Sequence, residues 1–216
     1  MKRFHMLWMI CCWLFVDKAN SQVSEPRILT ATEKIAHDYF RVSPFNKDFS
    51  TFVNRLMNDP GVLEKKTHLK TDSSLFFLEA TYTRHQPFFF KPEKVKVILS
   101  EREIEIDTFR YIPSFFIYQL VGYDPAGAEG ITDVKKEYEK LVRKYNRSFD
   151  MNHARELKDG ETVNGEIRDF YFNNVSFPLV TIAWSSNATN GNVIAITIRF
   201  EVIDNRAFLP IATNRF

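Results

Sequence analysis

The chain has 216 residues, 44% apolar and 26% charged, with a formal net charge of +2, a mixture that excludes disordered, collagenous and coiled-coil classes. At this length folding removes roughly 70% of the unfolded surface from water, so the core needs neither metal nor disulfide to stand. No motif for catalysis or ligand binding occurs in it.

Lys2 and Arg3 precede an unbroken apolar run from Met6 to Val16, and the small residues Ala19 and Ser21 flank Asn20 before Gln22. A charged start, a short apolar run and small residues at those places are what an export channel and its peptidase read, so residues 1–21 read as a cleaved signal peptide. The run falls short of the ~20 residues needed to cross a bilayer, and the cleaved chain is not membrane-spanning. The Ala-Asn-Ser-Gln ending resembles bacterial export signals, which implies the periplasm or cell surface of a Gram-negative bacterium, or otherwise secretion. Residues 22–216 are then one domain with a loop break at 124–130.

Cleavage removes Cys11 and Cys12, leaving a cysteine-free mature chain that has no thiol nucleophile, disulfide or thiolate metal site. Lys2, Arg3, Lys18 and Asp17 leave too, and the remaining acidic and basic groups balance. The densest basic stretch, Lys135 to Lys144, is interleaved with Glu137 and Glu139, which makes it a solvated helix face and not a nucleic-acid track.

Thr30-Ala31-Thr32-Glu33 reads as a capping box opening a helix with Ile35, Ala36, Tyr39 and Phe40 on its apolar face. Asp48 caps a second, where Phe49, Phe52, Val53, Leu56 and Met57 share one stripe until Asn58-Asp59-Pro60-Gly61 breaks it. Strands are predicted at Leu75 to Tyr82, Val95 to Leu99, Glu103 to Ile106 and Phe115 to Tyr123, from β-branched and aromatic enrichment or alternation. After a Gly- and Pro-containing loop, a helix runs from Asp133 to Tyr145. Strands follow at Ile167 to Phe172, Phe177 to Trp184 and Ile194 to Val202, the last alternating as a half-buried antiparallel strand does. Segregated runs of helices and strands give an α+β fold class, N-terminal amphipathic helices packed on an antiparallel, curved sheet. Cystatin-like and NTF2-like folds are an analogy at the level of topology, and a two-layer β-sandwich with peripheral helices is the rival. No internal repeat is visible.

Chemistry has few candidates. Four histidines follow the leader, His37, His68, His85 and His153, none at metal-ligand spacing from another, and no cofactor or metal is implied. His85 opens the loop His85-Gln86-Pro87-Phe88-Phe89-Phe90 at a strand end, where function often sits. Glu101, Glu103, Glu105 and Asp107 line one strand face at period two, as a solvated edge does, although paired acids also serve hydrolases. A hydrolase would draw on His85, His153, Glu103 and Glu105, assembled only in three dimensions. Of the 21 phenylalanines only Phe4 and Phe15 lie in the leader, so most of the rest must be core. Phe88, Phe89 and Phe90 cannot all point inward from an extended segment, because neighbours alternate faces. A non-catalytic binding or scaffolding module is therefore the leading expectation, with an unidentified protein, glycan or other envelope component as partner, recognised through Phe88 to Phe90.

Overall fold

The computed structural model describes residues 25–69, 76–102, 115–124, 128–173, 175, 177–187, 191–203 and 206–208. The expected leader, the segment carrying Glu103 and Glu105, and the end of the chain lie outside the described residues.

Two helices lead, α1 (Glu25–Tyr39) and α2 (Phe49–Asn58). α1 starts five residues before the capping box, which thus lies inside it. Pro26 explains the earlier start, since the first helical turn needs no N–H from it and its fixed φ suits a helix. α2 begins where Asp48 was expected to cap it: Oδ1 accepts from the Thr51 amide at 2.8 Å and Oδ2 from the Thr51 hydroxyl at 2.6 Å. Phe52 and Leu56, one turn apart, are fully buried, each contributing about 2 kcal/mol by leaving water.

Strands β1 (Val62–Leu69), β2 (Phe76–Tyr82), β3 (Lys94–Arg102) and β4 (Phe115–Asp124) follow, then α3 (Ala128–Tyr145), then β5 (Met151–Asp159), β6 (Thr162–Tyr171), β7 (Val180–Asn187), β8 (Gly191–Ile203) and β9 (Arg206–Phe208). α3 opens at Ala128, so Gly130 belongs to its first turn and the loop break expected at 124–130 is shorter. The strands form one antiparallel sheet, open at both ends, in the order β1-β2-β3-β4-β8-β7-β6-β5, with β9 beside β8. The chain is thus α+β and mostly sheet. The sandwich alternative needs a second sheet, and the described strands belong to one. Two four-strand meanders, each preceded by helix, meet where β4 pairs with β8 from Phe115↔Glu201 to Asp124↔Asn192. The repeat absent from the sequence is present in the topology.

The register aligns Leu99, Tyr118 and Ile198 across β3, β4 and β8, and Phe116 with Phe200. On this face Phe40 stacks on Tyr118 at 4.3 Å, Phe52 meets Tyr118 at 5.3 Å and Phe200 at 6.0 Å, and Phe49 meets Phe116 at 4.5 Å. The abundant phenylalanine is spent there, in tilted, stacked and edge-on ring pairs. β8 departs from the half-buried expectation, because Ala195, Thr197 and Glu201 on its other face are also buried. On that face long side chains of the neighbouring strand lie over β8, as Gln119 of β4 does in donating to Thr197 Oγ1 at 3.1 Å.

Candidate functional site

The β2–β3 connection, residues 83–93, is where the sequence placed its best candidates. Arg84 occupies it with φ +54°, a left-handed conformation that costs a non-glycine residue of order 1 kcal/mol and is held by the surrounding structure. Across the hairpin Glu64 of β1 has φ +49°, and β1 carries one extra residue between the pairs Leu63↔Thr81 and Lys66↔Glu79. That bulge is tied down by the Glu64 carboxylate, which accepts from the Thr81 hydroxyl at 2.7 Å and Lys94 Nζ at 3.1 Å. Two open clefts flank Arg84. One of about 590 Å³ is lined by Arg41, Pro60, Gly61 and Leu63, and one of about 570 Å³ by Glu64, His85, Gln86 and Lys91 among others.

The floor of this corner is polar and fully paired. Arg41 donates from Nε and Nη2 to the two oxygens of Asp59 at 2.9 and 2.7 Å, holding that carboxyl below its ordinary range. The guanidinium lies so close over Gly61 that a Cβ there would stand 2.4 Å from Arg41 Cζ. Glycine leaves the guanidinium in that place, where a larger residue would displace it from Asp59. Deeper in, Tyr118 donates its hydroxyl to the Val42 carbonyl at 3.2 Å, and Tyr82 and Tyr118 hydroxyls lie 3.0 Å apart. With the Tyr118 proton committed to Val42, Tyr82 is the donor of that pair. Burial pushes the Tyr82 phenol up to about 12 and raises the Tyr118 phenol well above its ordinary value.

His85 packs edge-on against Tyr82 with ring centres 5.1 Å apart, and its Nε2 lies 2.7 Å from the Tyr39 carbonyl at the end of α1. A carbonyl only accepts, so Nε2 carries the proton and donates it. Burial, with help from Arg41, holds the imidazole below its ordinary value. His153 sits exposed on β5, opposite Asp169 of β6. β2 and β5 are six strand steps apart in the sheet, roughly 29 Å at the usual spacing. His68 occupies β1 opposite Phe77, six residues from the Val62 end that borders the His85 corner, about 20 Å along the strand. His68, His85 and His153 are thus not brought together. Glu101 accepts the Phe76 amide at 2.9 Å, and Glu103 and Glu105 lie outside the described residues. Among the described residues no group of three or more His, Cys, Asp or Glu is arranged to hold a metal ion.

The chain bends at Phe88, Phe89 and Phe90 rather than running extended, and the three rings still take different environments. Phe88 is buried, its ring over Gly122 of β4 where a Cβ would stand 2.6 Å away. Phe90 is half-buried and stacks on Phe88 at 5.9 Å. Phe89 points outward and is 78% exposed. Its amide donates at 3.0 Å to Glu137 Oε2 on α3, and Lys140, one turn on, places its ammonium on the Phe89 ring. Glu137 is buried, and burial raises its carboxyl above the usual range. Sequence reasoning missed Glu137 by reading the charges from Lys135 to Lys144 as one solvated face, although 137 lies three residues after Val134 and four before Leu141, both buried.

A second polar cluster lies on the opposite face of the sheet. Buried Asp169 accepts from Arg155 Nη2 at 2.8 Å and the Thr181 hydroxyl at 2.5 Å, while Arg199 Nη1 donates to Thr181 Oγ1 at 2.8 Å and the Pro178 carbonyl at 3.0 Å. These groups satisfy one another, as buried charge must. Among the described residues no helix is long and apolar enough to cross a membrane. No family model matches the chain, and neither the curated proteins nor the solved structures include a match to it.

Proposed function

We propose that the protein is an exported, non-catalytic binding or scaffolding module of the cell envelope that presents Phe89 to its partner. The observation that carries this reading is the 78% exposure of the Phe89 ring on a loop whose neighbouring ring is buried and whose backbone is tied to α3. An exposed aromatic held rigid loses little side-chain freedom on docking, which is how anchor residues act at interfaces. Lys140 places its ammonium on the Phe89 ring, so the matching surface is an apolar pocket with an acidic rim on a protein, glycan or other envelope component. Binding is favoured over hydrolysis because the His85 ring gives its proton to a backbone carbonyl and His153 stands at the far edge of the sheet. The ring contacts of Phe40, Phe49 and Phe52 on β4 and β8 support a scaffold of leading helices on a curved sheet, analogous in topology to cystatin-like or NTF2-like folds. Export rests on the pattern from Lys2 to Ser21.

The test is a photo-crosslinking amino acid at position 89, against one at the exposed helix position 139, in the full chain in its native cells. Position 89 is expected to yield a discrete adduct absent at 139, and Phe89→Asp to abolish partner association at an unchanged melting temperature. Equal labelling at both positions, or a Phe89→Asp chain that no longer folds, refutes the docking role. Amino-terminal sequencing of the protein from the envelope fraction is expected to begin at Gln22. An uncut chain in the cytoplasm refutes export.

A further inference from the structure

β5 ends the strand order, so one of its edges has no strand beside it among the described residues. From Met151 to Asp159 every residue except half-buried Leu157 is exposed. Such an edge offers a row of unpaired backbone N–H and C=O groups, a template for another strand unless something blunts it. The opposite end of the sheet is blunted: β1 carries the bulge and the left-handed Glu64, followed by Lys65 and Lys66. β5 is not. Its one irregularity, between the pairs Leu157↔Gly165 and Lys158↔Val163, places the extra residue on β6 and leaves β5 itself regular.

The charges along this edge are antisymmetric. Arg155, Glu156, Leu157, Lys158 and Asp159 read plus, minus, neutral, plus, minus. When a strand pairs antiparallel with its own copy about a two-fold axis normal to the sheet, residues equally far from the axis on opposite sides stand face to face. With the axis through Leu157, Glu156 of each copy meets Lys158 of the other, and Arg155 meets Asp159. Every charged residue in the overlap then faces its opposite, each pair occurring twice. Neighbouring registers lack this match: an axis at Arg155 or Glu156 sets that charge against itself, which opposes pairing. The groups needed are free to engage. Glu156 and Lys158 pair with each other in the isolated strand at 3.2 Å, both more than half exposed, an exchangeable contact. Arg155 gives Nη2 to Asp169, and its guanidinium has further donors for a second carboxylate.

We infer that the β5 edge binds a second copy of this chain through residues 155–159, joining two sheets in one antiparallel ladder about Leu157. The overlap is short, so the dimer forms reversibly and weakens with salt.

Sedimentation velocity of the full chain over a concentration series is expected to show a monomer–dimer equilibrium. Glu156→Lys sets lysine against Lys158 twice by symmetry, and Lys158→Glu sets two glutamates against Glu156. Each variant is expected to weaken dimerisation by on the order of tenfold with an unchanged melting temperature, because both positions are exposed. An equimolar mixture of the two variants is expected to recover the dimer, since lysines of one chain then face glutamates of the other. A chain that stays monomeric throughout, a dimer indifferent to both substitutions, or a mixture no better than either variant alone overturns the inference.

Discussion

Phe88 and Phe89 are adjacent in the chain and opposite in environment, 3% and 78% exposed, which makes them a sharp test of the corner proposed to bind. Phe88→Ala empties the volume over Gly122, and a buried Phe→Ala change costs about 3–5 kcal/mol through lost transfer energy and the remaining cavity. For a chain of this size, each kcal/mol moves the melting temperature by roughly 2–4 °C, so a fall on the order of 10 °C is expected. Phe89→Ala loses only the Lys140 contact at an exposed ring, worth about 1 kcal/mol or less, and melts within a few degrees of the parent by the same conversion. Gly122→Ala approaches the same anchor from the other side. Its Cβ stands 2.6 Å from Phe88 Cε2 and 3.1 Å from Ile194 Cγ2, so the Phe88 ring must move, at a cost of about 1–3 kcal/mol typical of overpacking. Thermal and urea unfolding followed by circular dichroism measure all three. If Phe89→Ala destabilises as much as Phe88→Ala, or if Phe88→Ala is silent, the two rings face the other way and the docking role for Phe89 falls with them.

The half-buried His85 ring has its pKa held below the 6.5 of a free imidazole, so the folded protein resists a proton that the unfolded chain accepts. Its contribution is complete above pH 6.5 and declines as pH falls through the depressed folded value, because stability rises with pH wherever the unfolded state binds more protons. Unfolding measured from pH 7.5 down to about 5 is expected to show a loss that His85→Gln lacks; matching profiles for the two proteins refute it. In the buried phenol pair, Tyr118→Phe removes the acceptor of the Tyr82 proton and the donor to the Val42 carbonyl at a cost of about 2 kcal/mol, while Tyr82→Phe leaves the Tyr118–Val42 bond in place and costs about 1 kcal/mol. The double variant is expected to cost less than the sum by up to about 1 kcal/mol, and strict additivity in urea unfolding refutes the shared chain of hydroxyls.

The central strands were legible because burial writes its own pattern. Ile194, Ile196, Ile198 and Phe200 face a core, so they alternate, and β2, β3 and β4 carry β-branched and aromatic runs for the same reason. The Asp48 cap and the stripe through Phe52 and Leu56 were equally plain, since each interaction is local in the chain. Three strands escaped the sequence: β9, a three-residue segment beside β8, and β1 and β5, which are the ends of the strand order. The two end strands carry Glu64, Lys65 and Lys66, and Arg155, Glu156 and Lys158, where an interior strand carries valine and isoleucine. A terminal strand has one neighbour and much water, so its pairing leaves little mark on hydropathy.

The functional corner divides in the same way. Three adjacent phenylalanines in an extended segment would alternate faces, and that expectation located the loop; the backbone bends there instead, so alternation did not decide which ring is exposed. Which ring faces out was decided by α3, whose Glu137 captures the Phe89 amide from 48 residues away, and by Gly122, whose missing side chain makes room for Phe88. The commitment of His85 to the Tyr39 carbonyl, and the separation of His85 from His153 by the width of the sheet, likewise follow from strand order. Local sequence determines which faces seek burial and where a helix can begin, because those energies act over a turn or a strand. Which distant groups meet is settled by the packing of β4 against β8 and of the helices against the sheet, contacts between residues that no short window of sequence contains.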